Sequence, residues 1–140
     1  MSEASSTPTV AEIGKHSIHI QGGILHVLFS GRVSAADAVA MRQRVCDAGD
    51  RFGKLGALVA LDGLSEFDAG ARTHFARADR PYPFYATAFY GGSFGARMLV
   101  TTILRAGSRI APRMFPFPFE IFKTEAESRI YLTGLRPPPP

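Results

Sequence analysis

Cysteine is nearly absent from this 140-residue chain, with Cys46 standing alone. One thiol closes no intramolecular disulfide, so nothing in the sequence demands an oxidising compartment or supports a cysteine-rich zinc site. Long hydrophobic runs are missing as well. The most apolar stretch, 84–104, is interrupted by Gly91, Gly92, Gly95 and Arg97. It falls short of the ~20 apolar residues a membrane-spanning helix needs. The first ten residues carry neither a basic start nor an apolar run, so they do not read as a secretory signal, and the cytoplasm is the expected location. Catalytic signatures are equally scarce. The chain has no P-loop ending and no dinucleotide fingerprint.

Hydrophobic residues make up 46% and charged residues 20% of the chain, the balance of an ordinary globular protein with one core. Lys and Arg number 16 against 12 Asp and Glu, and the resulting charge of +4 favours acidic partners in a mild, unspecific way. Residues 1–14 are expected to form a flexible tail and residues 15–135 a single α/β domain. The proline run that closes the chain, in residues 136–140, should form a second tail, since prolines in series make neither helix nor sheet.

Within the domain, His16 to Ile20 alternates polar and apolar residues, Gly22-Gly23 supplies a turn, and Ile24 to Ser30 resumes the pattern, which predicts a β-hairpin. Ser34 with Asp37 forms a capping box leading into a helix to about Asp50, with Ala38, Met41, Val45 and Ala48 on its buried face. Ala57 to Leu61 is a short continuous apolar run, the pattern of a strand covered on both faces. Asp68 caps a short second helix that ends before Pro81. Tyr85 to Tyr90 is the next strand, and Ser93 caps a third helix to about Arg105 with Gly107 as its stop. Phe119 to Phe122 makes the last strand, and Thr124 with Glu127 caps the last helix. Strands alternating with about four helices imply a mixed, mostly parallel sheet that opens with a hairpin.

The order of these pieces carries a family resemblance. The stretch Ile24 to Ser34, then Leu58-Val59-Ala60-Leu61-Asp62-Gly63-Leu64, then Phe67-Asp68-Ala69-Gly70-Ala71-Arg72, resembles a STAS-type domain, the fold of bacterial anti-sigma-factor antagonists. The closing Phe122 to Leu132 is similar to the end of small bacterial STAS-like proteins of unassigned function. The resemblance spans roughly residues 16 to 135. It implies a non-enzymatic, regulatory protein-interaction module. In the regulatory members a serine at the start of the second helix is phosphorylated; the matching stretch here reads Asp68-Ala69-Gly70, so the resemblance implies a module without that switch. The alternative is a binder of a lipid or other apolar small molecule, because related small bacterial proteins also look like lipid-carrier folds and this chain is rich in aromatics.

Candidate site residues follow from local chemistry. Asp68 and Arg72 on the second helix, with Arg109, Arg113, Phe115 and Phe117 in the Arg- and Pro-rich connection, form the expected partner surface; the rings there either present an exposed patch or plug one end of the core. That surface suits an acidic protein or a second copy of the chain. Gly92 and Ser93, with Arg97 behind them, join a strand to a helix, where backbone N–H groups cradle anions, although a structural turn is the stronger reading. His16, His19 and His26 share the opening hairpin, but their spacing assigns neither a third metal ligand nor a second shell, so no metal or cofactor is expected. Cys46 reads as a core residue and His74 as a solvent-facing one. Nucleic acid is set aside as a partner, because the arginines are scattered and no binding motif accompanies them.

Overall fold

The structure is a computed structural model that describes residues 9–77 and 79–137. Its eight strands are β1 (Thr9–Ile13), β2 (His16–Gln21), β3 (Ile24–Leu28), β4 (Gly31–Val33), β5 (Leu55–Ala60), β6 (Leu64–Phe67), β7 (Phe84–Tyr90) and β8 (Phe119–Phe122). The helices are α1 (Ala35–Phe52), α2 (Ala69–Ala76), α3 (Phe94–Ile110) and α4 (Glu125–Leu135), with a 3-10 turn at Pro112–Met114. Six strands form one sheet in the order β1-β2-β3-β5-β7-β8. β1, β2 and β3 pair antiparallel, and the pairings from β3 through β8 are parallel. This is the mixed sheet the sequence predicts.

Every residue of β5 is buried, because the strand lies mid-sheet and is covered on both faces. Its odd positions, Leu55, Ala57 and Val59, belong to the larger core beneath α1, α2 and α3, while Leu58 and Ala60 belong to a smaller core beneath α4. β7 divides the same way, with Thr87 and Phe89 toward the three helices and Ala86, Ala88 and Tyr90 toward α4. The side-chain period of two therefore sorts a single apolar run into two cores.

The four N-caps form as the sequence predicts. The Asp37 N–H donates to Ser34 Oγ at 3.1 Å while the Ser34 N–H donates to the Asp37 carboxylate at 3.1 Å. Thr124 and Glu127 make the same reciprocal pair. Asp68 and Ser93 each accept from the N–H three residues on. Ala38, Met41, Val45 and Ala48 are buried, as is Cys46.

The chain departs from expectation at three places. Thr9–Ile13, counted above with the N-terminal tail, pairs with β2 as the sheet's edge strand. β4 and β6 form a separate two-stranded parallel ribbon, within stretches that read as connections. In β6 the buried ends, Leu64 and Phe67, flank an exposed Ser65 and Glu66, so no alternation announces a strand. Third, α3 runs past Arg105 to Ile110, and Gly107 is not its stop. That glycine is buried in the last turns, where the Phe115 ring rests against it. Residues 1–8 and 138–140, the outer parts of the two expected tails, lie outside the described residues. Among the described residues no helix is long and apolar enough to cross a membrane.

Candidate ligand cavity

Between the sheet and the α1–α3 layer is a cavity of about 130 Å3. Its floor is the inward face of four strands: Ile18 of β2, Val27 of β3, Ala57 and Val59 of β5, Thr87 and Phe89 of β7. Met41 and Val45, one turn apart on α1, and Val100, Ile103 and Leu104 of α3 form the roof. Phe67 and Phe75 close one side. Tyr82, Phe84, Phe115 and Phe117 close another.

The last four rings are a packed cluster. Tyr82 stacks on Phe84 at 6.0 Å, Phe84 meets Phe117 edge-on at 5.5 Å, and Phe115 lies 5.2 Å from Tyr82 and 6.2 Å from Phe117. Edge-on and offset contacts of this kind hold aromatic clusters in fixed geometry. The Phe-Pro repeat thus plugs the end of the core: Phe115 is buried, and Phe117 and Phe119 are half-buried against the same core. Phe29, Phe75, Leu104 and Phe117 of the lining are only partly covered.

Only two lining side chains carry a polar atom. The Tyr82 hydroxyl donates to the Phe75 carbonyl at 3.0 Å, and burial pushes its pKa well above the ordinary tyrosine value. Thr87, only 4% exposed, has a buried hydroxyl with no hydrogen-bond partner among the described residues. A buried hydroxyl left unpaired costs roughly 1–3 kcal/mol. It is the one unpaired hydroxyl among the side chains that line the chamber.

The partner-surface residues do not form one cluster. Asp68 caps α2 and accepts from the Ala71 N–H at 2.8 Å and the Ala35 N–H at 3.3 Å, and Arg32 lies 3.6 Å from its carboxylate. Arg72 donates to the Phe67 carbonyl at 2.9 Å. Arg109 is exposed in the last turn of α3, and Arg113 is exposed in the 3-10 turn. No hydrogen bond, ion pair or ring contact among the described residues joins Asp68 and Arg72 to the segment holding Arg109, Arg113, Phe115 and Phe117.

At the glycine turn, the place of an anion is taken by the protein itself. The Gly92 N–H donates to the Asp62 carboxylate at 2.7 Å, Ser93 Oγ accepts from the Ala96 N–H, and Arg97 Nε donates to the Gly91 carbonyl at 3.0 Å. Asp62, read from sequence as a turn residue, neutralises the donors an anion would use.

The three hairpin histidines part company. His16, on the inward face and 1% exposed, accepts from the Ser30 N–H at Nδ1 and lies within 3.3 Å of both the Arg32 carbonyl and the Asp37 carboxylate through Nε2. His19 and His26 face outward on the other side of the sheet, directly opposite each other. His74 does not face solvent freely: it is half-buried beside the Arg42 guanidinium, and burial, seconded by that charge, lowers its pKa. No cluster of three His, Cys, Asp or Glu side chains suited to a metal occurs among the described residues.

No family model matches this chain, and no curated protein matches it. Among solved structures it is similar to a crystal structure of an uncharacterised protein of the DUF3478 family with a SpoIIAA-like fold, from Shewanella loihica PV-4. The two share 14% identity at a TM-score of 0.58, over 90% of this chain and 92% of the other. A likeness at that identity speaks for the fold. The chain has a SpoIIAA-like, that is STAS-like, α/β fold, which bears out the resemblance carried by the order of its motifs.

Proposed function

We propose that this chain is a non-catalytic STAS-like binding domain whose cavity takes one small, largely apolar molecule bearing a single hydrogen-bonding group. The observation that carries the reading is the unpaired Thr87 hydroxyl in a chamber whose other walls are hydrocarbon, thioether or already satisfied. An apolar cavity of ~150 Å3 stays dry and takes benzene, so about 130 Å3 sets the ligand near the size of one substituted ring. A long-chain lipid exceeds it unless the helices part. The apolar-ligand alternative thereby becomes the leading function, with a size limit attached.

The test is a titration of the full chain with benzyl alcohol and with toluene, followed by melting temperature and by NMR contacts to the methyl groups of Thr87 and Val100. Both ligands should raise the melting temperature, benzyl alcohol more than toluene. At 100 times the dissociation constant a ligand stabilises its protein by ~2.7 kcal/mol. Ala57→Leu, which fills the floor, should abolish both responses. Absence of contact from either ligand to cavity methyls removes the proposal.

A second reading, protein interaction, is favoured by one feature. Phe94 and Met98 lie one turn apart on α3 and are 79% and 48% exposed. Such a pair suits a partner helix or a second copy of the chain. The family's phosphoserine switch has no place in either reading, and the packing at Gly70 supports that for one of the two matching positions: a Cβ there would meet Ala35 Cβ at 2.8 Å, so a serine needs the start of α1 to shift. Sedimentation of the chain and of Phe94→Asp tests self-association through α3; a monomer at every concentration eliminates the copy-to-copy form.

A further inference from the structure

The outer face of the sheet holds a second concavity, unlike the first in every respect. On this side α4 packs over β5, β7 and β8, beside the β2–β3 hairpin. The step between helix and hairpin is a groove of about 50 Å3 lined by His19, Gln21, Ile24, His26 and Arg129. Its walls are mainly polar. His19 and His26 are register partners whose ring centroids lie 5.5 Å apart.

Behind the groove runs a fixed chain of hydrogen bonds. Tyr90 donates its hydroxyl proton to Glu125 at 3.4 Å, and Arg129 Nε donates to the other oxygen of that carboxylate at 2.7 Å. The Tyr90 oxygen lies 2.8 Å from His26 Nε2. With its one proton turned to Glu125, that oxygen accepts from His26, so neutral His26 carries its proton on Nε2 and keeps a bare Nδ1. Arg129 gives Glu125 only its Nε. Its terminal N–H groups find no acceptor among the described residues.

We propose that this groove is a proton-coupled site for a small tetrahedral oxyanion, a free sulfate or phosphate ion or the phosphoryl end of a monoester, held by Arg129 and by His26 protonated as the anion enters. The charge balance argues for the coupling. Glu125 offsets Arg129, so with neutral histidines the groove carries almost no net charge and attracts an anion weakly. One proton on His26 makes it cationic and turns Nδ1 into a donor. Burial holds His26 below the usual histidine value, Arg129 and His19 add to that, and Glu125 opposes it. The groups facing it are His19 from β2, Tyr90 from β7, and Glu125 and Arg129 from α4. A bound anion reverses the balance and draws the proton in. A cation fits less well: a guanidinium lines the groove, and no third metal ligand completes the His19–His26 pair among the described residues.

Sulfate is the probe, because its charge stays constant across the range where histidine titrates. NMR titration of the full chain at fixed ionic strength should shift the His19 and His26 ring signals saturably. Affinity should strengthen as the pH falls, toward ~tenfold per unit at the steepest, the signature of one proton taken up. Arg129→Gln should weaken binding at least ~tenfold, with Arg129→Lys falling between. His26→Asn should remove the pH dependence while the melting temperature confirms a folded chain. Inorganic phosphate and phenyl phosphate then separate the sources: equal affinities indicate a free ion, and tighter phenyl phosphate indicates the end of a larger molecule. No saturable shift with sulfate, or binding that Arg129→Gln leaves unchanged, overturns the proposal, as does a response to zinc in place of sulfate. None of these outcomes depends on the apolar cavity.

Discussion

Gly107 of α3 lies so close to the Phe115 ring that a Cβ on the glycine would meet Phe115 Cζ at 2.4 Å. Helix and ring therefore share one space, and the Phe115 wall of the cavity exists because residue 107 has no side chain. Gly107→Ala sets two effects against each other. Alanine gains ~1 kcal/mol in helix propensity, while overpacking a filled core costs ~1–3 kcal/mol. Overpacking wins here, since Phe115 is itself buried against Tyr82 and Phe117 and gives way only by moving into the cavity it lines. Urea denaturation should show a net loss of about 1 kcal/mol, together with weaker cavity-ligand binding as Phe115 is driven inward.

Thr87→Val should do the opposite to stability. The substitution keeps the side chain's shape and removes a buried hydroxyl that has no partner, which returns roughly 1–2 kcal/mol to the folded state. The same change removes the only polar anchor for a ligand. The midpoint of urea unfolding should rise, and the preference for benzyl alcohol over toluene should vanish. A midpoint that falls would mean the hydroxyl is satisfied and would count against the cavity reading.

What the sequence disclosed depended on how local the signal was. The caps at Ser34, Asp68, Ser93 and Thr124 were legible because each is a contact between residues three apart. The two cores on β5 were legible as one apolar run. The cavity was not, since Ile18, Ala57, Thr87 and Val100 come from four elements and each alone reads as ordinary core. Gly107 was misread for a related reason: a glycine near a helix end signals a stop, and only the distant Phe115 reveals that close approach is its role. The outer groove joins His19 and His26 to Tyr90, Glu125 and Arg129 across more than a hundred positions, and spacing within the hairpin signalled only the histidine pair.

Arg42 and Asp79 form an ion pair whose two ends differ sharply in burial, 8% against 81% exposed. The buried guanidinium also donates to the His74 carbonyl at 3.1 Å and the Arg77 carbonyl at 3.4 Å, so it ties α1 to the end of α2. Arg42→Ala leaves these carbonyls unpaired under α1, and hydrogen bonds to a charged group contribute ~1.5–3 kcal/mol. A loss of about 2–3 kcal/mol is expected, with faster amide exchange over Ala69–Ala76. Asp79→Asn should shift the unfolding midpoint far less, because the carboxylate is solvated and screened. Equal effects from the two variants would show the ion pair, and not the carbonyl contacts, to be what holds α2.

Asp37 should govern the acid limb of stability. Burial works to raise its pKa, but the Ser34 backbone and hydroxyl bonds and the neighbouring His16 outweigh it and hold the carboxyl below the usual aspartate value. The folded chain therefore binds this proton less tightly than the unfolded chain. The resulting stability is complete above the ordinary carboxylate range, near pH 4, and is lost as pH falls through the depressed folded value. Asp37→Asn keeps a hydrogen-bond acceptor for the Ser34 N–H but removes the charge that favours a helix N-terminus, a change of up to about 1 kcal/mol at neutral pH. Urea midpoints of the two proteins should differ at pH 7 and converge as the pH falls through the depressed folded value and the Asp37 carboxyl takes up its proton. A difference that persists unchanged into acid would assign the effect to altered packing and not to the Asp37 charge.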